Sequence, residues 1–183
     1  MAHAARLMAC LAQQRQAHRA QPYPSYASRC EDLRQLKALV QDNVEVIAQA
    51  ISADYGHRSY HETVLAEVVP VLHAVDHACK HLHQWMKPQH RGIDRLKFFG
   101  GKNRVLPQPL GVVGVIVPWN FPINLSFMVL VDAFAAGNRA MVKLSENSRH
   151  LAKLLISKAP QYFAHDKLAF FDETGGVGPA FSQ

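Results

Sequence analysis

Pro109-Leu-Gly-Val-Val-Gly-Val-Ile-Val-Pro-Trp-Asn-Phe-Pro122 is the stretch that decides the fold. Val112 to Val117 is a continuous apolar run rich in β-branched residues, the pattern of a strand buried on both faces of a parallel sheet. Pro118 stops it, because proline brings no N–H to a sheet ladder. Pro122, with φ already set, opens a helix to about Ala136, and Gly137-Asn138 ends that helix. Arg139 to Leu144 reads as a second strand. Ser148 can cap a helix over about Arg149 to Ala159, and Lys167 to Phe171 reads as a third strand. Strand, helix, strand, helix, strand in about sixty residues is a doubly wound parallel unit.

Working back toward the start, the character changes near residue 90. Nine of the ten glycines follow that point and only Gly56 precedes it. The front therefore reads as helical and the class as α/β. Residues 2 to 18 form one helix with Leu7, Met8 and Leu11 on its apolar side, broken by Pro22 and Pro24. Ser25 or Ser28 can cap a second helix carrying Leu33, Leu36, Leu39 and Val40. A third spans about Val44 to Ile51. The fourth runs from about His61 to Met86 on a stripe of Leu65, Val68, Leu72, Val75, Cys79, Leu82 and Met86, with a kink expected at Pro70. Residues 93 to 109 read as an extended hairpin, Leu96–Phe99 and Asn103–Leu106 flanking Gly100-Gly101.

Composition narrows the function classes. With 183 residues, 49% hydrophobic and 19% charged, the chain suits one globular domain and not a disordered one. The net charge of +6 does not by itself imply nucleic acid. Cys10, Cys30 and Cys79 are odd in number and far apart, which excludes a disulfide scaffold or thiolate zinc cage and suits a reducing compartment. The longest apolar stretch, Ile123 to Ala136, contains Asp132 and falls short of the roughly 20 residues a bilayer needs. Met1 to Ala20 lacks the compact apolar centre of a signal peptide. A cytoplasmic protein without a membrane partner is the expectation.

Open α/β sheets bind ligands beyond the carboxyl ends of their strands, and two polar clusters fall there. In the first, two prolines stiffen Trp119-Asn120-Phe121. Asn120 can aim an amide at an oxyanion developing on a carbonyl, or simply cap the next helix, and spacing alone favours the cap. Trp119 is a flat wall for a ring ligand or a core residue, and the residues alone favour the core. In the second cluster, Lys143 and Glu146 stand three apart at the end of the next strand. They suit ribose hydroxyls, or else a solvated turn with a loose ion pair.

These residues also carry a resemblance. Pro109 to Pro122 resembles the cofactor-domain signature of the NAD(P)-dependent aldehyde dehydrogenases, and Ala135-Ala-Gly-Asn-Arg-Ala-Met-Val-Lys-Leu-Ser-Glu146 resembles the segment that follows it there. Gln21-Pro-Tyr-Pro-Ser25, Ile51-Ser-Ala-Asp-Tyr-Gly-His-Arg58, His61-Glu-Thr63 and Trp85-Met-Lys-Pro88 resemble the coniferyl-aldehyde dehydrogenase branch. The resemblance spans essentially the whole chain. It implies an incomplete Rossmann-like sheet behind N-terminal helices: 1–88 helical, 93–109 a hairpin arm for homo- or hetero-oligomerisation, and 111–183 the first β-α-β-α-β units. It implies Asn120 as the oxyanion-holding asparagine. Ile116, Val117, Pro118 and Trp119 would line the dinucleotide groove, and Lys143, Ser145 and Glu146 would contact the adenosine ribose. Glu146 would disfavour a 2′-phosphate, so NAD is expected before NADP. The substrate implied is a small-molecule, aromatic aldehyde.

The departure from the family pattern is as informative. The family's nucleophilic cysteine and its base glutamate find no matching motif here, so the catalytic domain reads as absent and this chain as a truncated cofactor-binding domain, inactive alone. Gly175-Gly176-Val177-Gly178 reads as the turn into a short helix. His73, His77 and His81 read as a solvated face and not a metal site. Lys87, Arg91, Arg95, Lys97, Lys102 and Arg104 meet one acid, Asp94, between 87 and 104. The arm explains them better than nucleic acid does.

Overall fold

The computed structural model describes residues 2–174 and 176–182. Helix α1 (Ala2–Ala20) leads, and α2 (Tyr26–Gln41) starts at Ser25, whose hydroxyl accepts from the Ser28 amide at 3.2 Å. Helix α3 (Val44–Tyr55) follows. The expected fourth helix is instead three pieces: α4 (Tyr60–Thr63), a π-helical turn over Val64–Val68, and α5 (Val69–Trp85). Pro70 has no N–H to give the Ala66 carbonyl four residues back, and the chain widens just ahead of it. The extra residue rotates the apolar face. Val68, Val71, Val75, Ala78 and Leu82 are buried, while Leu65, expected on the same stripe, is 70% exposed.

The hairpin has a different first strand from the one its sequence suggests. Strand β1 (Gln89–Arg91) pairs antiparallel with β2 (Asn103–Val105), Gln89 opposite Val105 and Arg91 opposite Asn103. Leu96–Phe99 is a turn, because the Asp94 carboxylate accepts from the Leu96 and Lys97 amides and offers the backbone an alternative to pairing. Leu96 and Phe99 stand almost fully in solvent.

Strands β3 (Val112–Ile116), β4 (Arg139–Lys143) and β5 (Leu168–Phe171) form a parallel sheet in that spatial order. Helices α6 (Pro122–Ala135) and α7 (Arg149–Lys158) make the two crossovers, and α8 (Val177–Phe181) follows β5. Of the expected glycine turn, Gly176 precedes α8 and Gly175 lies outside the described residues. One sheet face, with Ala140, Val142, Leu168 and Phe170, meets α6, α7 and the helical layer of α2, α3 and α5 in the main core. The other face, with Met141, Ala169 and Phe171, is covered by Leu7 and Cys10 of α1 and by Val177 of α8. Strand β3 is not buried on both faces as its sequence suggests: Val115 is buried, but Ile116, pointing to the opposite face, is 57% exposed and outside the cluster that α1 and α8 cover.

Helix α6 ends in a Schellman pair, Gly137 N–H to the Phe134 carbonyl and Asn138 N–H to the Ala133 carbonyl. Gly137 sits at φ +86°, and a Cβ there would meet the buried Arg29 guanidinium at 2.9 Å. Asn138 then turns its Oδ1 back to the Leu110 and Gly111 amides, fixing the entry to β3. Phe127 of α6 is fully buried and stacks near Phe170 of β5, ring centres 6.1 Å apart. Phe127→Ala is expected to cost about 3–5 kcal/mol in urea unfolding, since the ring sits where helix, sheet and helical layer meet.

Candidate functional site

The two polar clusters meet at the carboxyl ends of β3 and β4. Ile116 pairs with Lys143, and the Val117 amide continues the ladder to the Lys143 carbonyl at 3.0 Å. The chain then leaves β3 through Pro118, Trp119 and Asn120, all exposed, and leaves β4 through Leu144, Ser145 and Glu146. Trp119 is 53% exposed, not core, and leans on Tyr55 with ring centres 5.9 Å apart. Trp119 and Glu146 line one cleft of about 480 Å³, with Tyr55, Asn147, Arg149 and His150. Glu146 also borders a second cleft of about 330 Å³ with Ser145, Arg149, Lys153 and Glu173.

Lys143 does not pair with Glu146. Its buried ammonium is ion-paired to Glu173, whose carboxyl is held below the usual carboxylate range by that contact. Ser145 is buried, and its hydroxyl accepts from the Asn147 amide at 3.2 Å. Among the described residues the Glu146 carboxylate has no ion-pair or hydrogen-bond partner; only its carbonyl is used, by Arg149 at 3.1 Å. Val117 is buried, while Ile116 and Pro118 form the exposed rim.

Neither crossover helix, α6 or α7, is capped by a side chain from its own loop. Phe121 occupies the cap position of α6 and Ser148 that of α7, and neither side chain makes a capping bond. Both caps come from the helical layer. The Glu67 carboxylate accepts from the Ile123 amide at 2.7 Å and the Asn124 amide at 3.2 Å. The Asp54 carboxylate accepts from the amides of His150 at 2.8 Å and Leu151 at 3.0 Å, and from His150 Nδ1 at 2.8 Å. A carboxylate against these free N–H groups and the positive end of the helix is favourable on both counts. The Ala66 carbonyl left free by Pro70 is taken by Asn124 Nδ2 at 2.7 Å. Asn120 is therefore not the cap that spacing favours. It sits beside a recess of about 380 Å³ with Tyr55, His57, Arg58 and Glu62.

Asp54, Tyr55, Arg58 and Glu67 escape sequence reasoning. A usable signal exists for Asp54: an acid in the last turn of a helix opposes the dipole and asks for a partner elsewhere. For Glu67 the π-turn hides the signal by shifting the helical phase.

The three thiols are all at least partly buried. Cys10 is buried 3.6 Å from His165 Nδ1, Cys30 is buried, and burial pushes the Cys10 and Cys79 thiols up. His77, His81 and Trp85 stack along α5, and among the described residues no three metal-ligating side chains converge. No described helix is long and apolar enough to cross a membrane.

A three-stranded parallel sheet with a polar cleft at its carboxyl edge, flanked by helices, is the start of a dinucleotide-binding fold. The comparisons narrow that class. Residues 1–162 match the model described as the aldehyde dehydrogenase family, and the chain belongs to that family of NAD(P)-dependent oxidoreductases. A probable coniferyl aldehyde dehydrogenase of Pseudomonas aeruginosa is 42% identical over 177 residues, 97% of this chain and 37% of that protein. The coniferyl aldehyde dehydrogenase of Pseudomonas sp. (strain HR199) is 38% identical over 179 residues, 98% of this chain and 37% of that one. The chain thus spans little more than a third of these relatives. Among solved structures, the substrate-bound state of Staphylococcus aureus AldH superposes with a TM-score of 0.85 at 24% identity, over 91% of this chain and 36% of that one. PnpE in complex with nicotinamide adenine dinucleotide gives 0.81 at 24%, over 98% and 36%.

Two outcomes follow from the buried groups. Burial pushes the Glu67 carboxyl above the ordinary 4.5, against the pull of the Ile123 amide, Arg58 and the Asn124 amide. Between the unfolded and folded values the folded state holds more protons, so Glu67's contribution to stability falls as pH rises through that window. In chemical denaturation the difference between wild type and Glu67→Gln should therefore move toward the variant with rising pH; the opposite slope would contradict it. Alkylation at neutral pH, followed by mass spectrometry, should label half-buried Cys79 before Cys10 and Cys30, all three slowly relative to the unfolded chain.

Proposed function

We propose that this chain supplies part of the cofactor side of an aldehyde dehydrogenase that oxidises an aromatic, coniferyl-type aldehyde with NAD. The observation that carries the reading is the convergence of Trp119 and Glu146, from adjacent parallel strand ends, on one cleft. The fit to an adenosine ribose is chemical. An exposed carboxylate without a partner among the described residues accepts from two hydroxyls, and the Trp119 face offers a flat apolar wall. The same carboxylate repels a 2′-phosphate, which favours NAD over NADP. Lys143 holds Glu173 and keeps further donors for a hydroxyl. Ile116, Val117 and Pro118 form the groove edge, and Ser145 braces the turn that presents Glu146. The N-termini of α6 and α7 already carry Glu67 and Asp54, so a pyrophosphate would find no free helix end at either.

The nicotinamide coenzyme, when bound, supplies a hydride acceptor; what this chain adds is orientation. Asn120 would donate to the oxygen of an aldehyde under attack, a role worth about 2.7–4 kcal/mol in comparable sites. Cys10 and Cys30 are buried, and half-buried Cys79 has its thiol pushed up by that partial burial, which supports an attacking thiolate other than these three. The 183-residue polypeptide by itself is therefore proposed to be without aldehyde oxidation. A second reading, assembly through the arm with a full-length subunit, is favoured by Leu96 and Phe99 at 98% and 99% exposure beside half-exposed Phe98.

Binding tests the first reading directly. In a Trp85→Phe background, NAD should quench Trp119 emission saturably, NADP should bind at least about tenfold more weakly, and Glu146→Gln should weaken NAD about tenfold or more. No saturable quenching, or tighter NADP binding, would reject it. NADH formation from coniferyl aldehyde by this polypeptide would reject the inactivity.

A further inference from the structure

The peptide that carries Asn120 has no backbone anchor of its own. After the Val117 amide bonds the Lys143 carbonyl, the next main-chain bond is Leu125 N–H to the Phe121 carbonyl. Among the described residues no main-chain partner holds Pro118, Trp119 or Asn120. Two prolines limit the torsions but do not fix where the connection lies in space. Its carbonyls are taken by side chains instead. The Tyr55 hydroxyl lies against the Trp119 and Asn120 carbonyls and can donate to either. Arg58 Nη1 donates to the Asn120 carbonyl at 2.7 Å.

The Arg58 side chain is only 3% exposed and is itself fixed from three sides. Its Nη1 lies 3.2 Å from Glu67 Oε1, its Nη2 lies 3.5 Å from Glu62 Oε1, and its guanidinium packs 4.5 Å from the Phe121 ring and 5.0 Å from that of Tyr55. One guanidinium therefore links the carboxylate that caps α6 to the carbonyl of the residue just before that helix's cap.

We propose that Tyr55 and Arg58 are positioning residues for Asn120: they hold its carbonyl and that of Trp119, and so set where the Asn120 amide and the Trp119 ring face the cleft. The functional half of this inference rests on Asn120 as an oxyanion donor and Trp119 as a cofactor wall; the structural half does not. Backbone ¹⁵N relaxation on the 183-residue chain, Trp85→Phe background, separates the two. Wild type should show order parameters near about 0.85 at Trp119 and Asn120, and Tyr55→Phe combined with Arg58→Met should bring them below about 0.6. Residues of β4 and α7 should be unchanged. Arg58→Lys in place of Arg58→Met should restore most of the order, because an ammonium still donates to the carbonyl.

Should Arg58→Met leave Glu67 uncompensated and unfold the chain, Tyr55→Phe alone is the test, read as loss of Trp119 fluorescence anisotropy. Unchanged order at 119 and 120 in folded variants overturns the proposal, as does a loss of order spread evenly over β4 and α7. Loss of local order in a protein that never bound NAD would leave the positioning intact while the cofactor reading fails.

Discussion

Two carboxylates carried by the helical layer, Glu67 at the start of α6 and Asp54 at the start of α7, are the constraint on which the rest of the sheet edge depends. A parallel strand–helix unit delivers each helix N-terminus to the carboxyl edge of the sheet, where four N–H groups lack partners. In many nucleotide folds a phosphate answers that need. Here the protein answers it with its own acids. Each acid is tied to a different helix of the front half, so the two halves of the chain are locked together at the ligand edge as well as through the apolar core. The layer that looks peripheral to the sheet therefore sets the heights of the loops that form the cleft.

Glu67 reaches its place because of Pro70. The missing N–H opens the π-turn, the turn advances the helical phase by about one residue, and an acid enters a face otherwise occupied by Val68 and Val71. The same missing N–H frees the Ala66 carbonyl for Asn124. One proline thus supplies both polar contacts that seat the start of α6 on the helical layer. Removing an ion from water costs several kcal/mol. Two amide bonds, a helix end and Arg58 at 3.2 Å offset that, though burial still dominates the Glu67 carboxyl.

Much of this was legible in the residues. Apolar runs of the right length between prolines and glycines gave β3, β4, β5, α6 and α7 to within a residue or two, because buried strands and helices obey local periodicity. That the two polar clusters fall at adjacent strand ends is also legible, since parallel strand ends bring successive loops together. What escaped was decided by distant or side-chain partners. Leu65 lost its buried place to a phase shift, Leu96–Phe99 lost its strand to the Asp94 carboxylate, and Lys143 found Glu173 thirty residues on instead of Glu146 three residues on. Spacing favours Asn120 as a cap because nothing in its neighbourhood announces that an acid fifty-three residues earlier takes that role.

The division between an ionic anchor and an apolar core has a geometric reason. A well-packed apolar trio could replace Arg58, Glu67 and Tyr55 and keep the helices together, and such replacements are often neutral or stabilising. Apolar contact, however, is non-directional. It cannot hold a carbonyl oxygen, and the main-chain groups of the Pro118–Phe121 connection that side chains hold are the Trp119 and Asn120 carbonyls. Fixing a solvent-facing peptide at a chosen angle needs donors that are themselves immobile, and a donor is immobile only when its charge and planes are matched on several sides. Arg58, with a carboxylate at one nitrogen, a carbonyl at the same nitrogen and aromatic rings against its plane, meets that requirement. The rim can thus stay exposed and polar while its position is dictated from within the core.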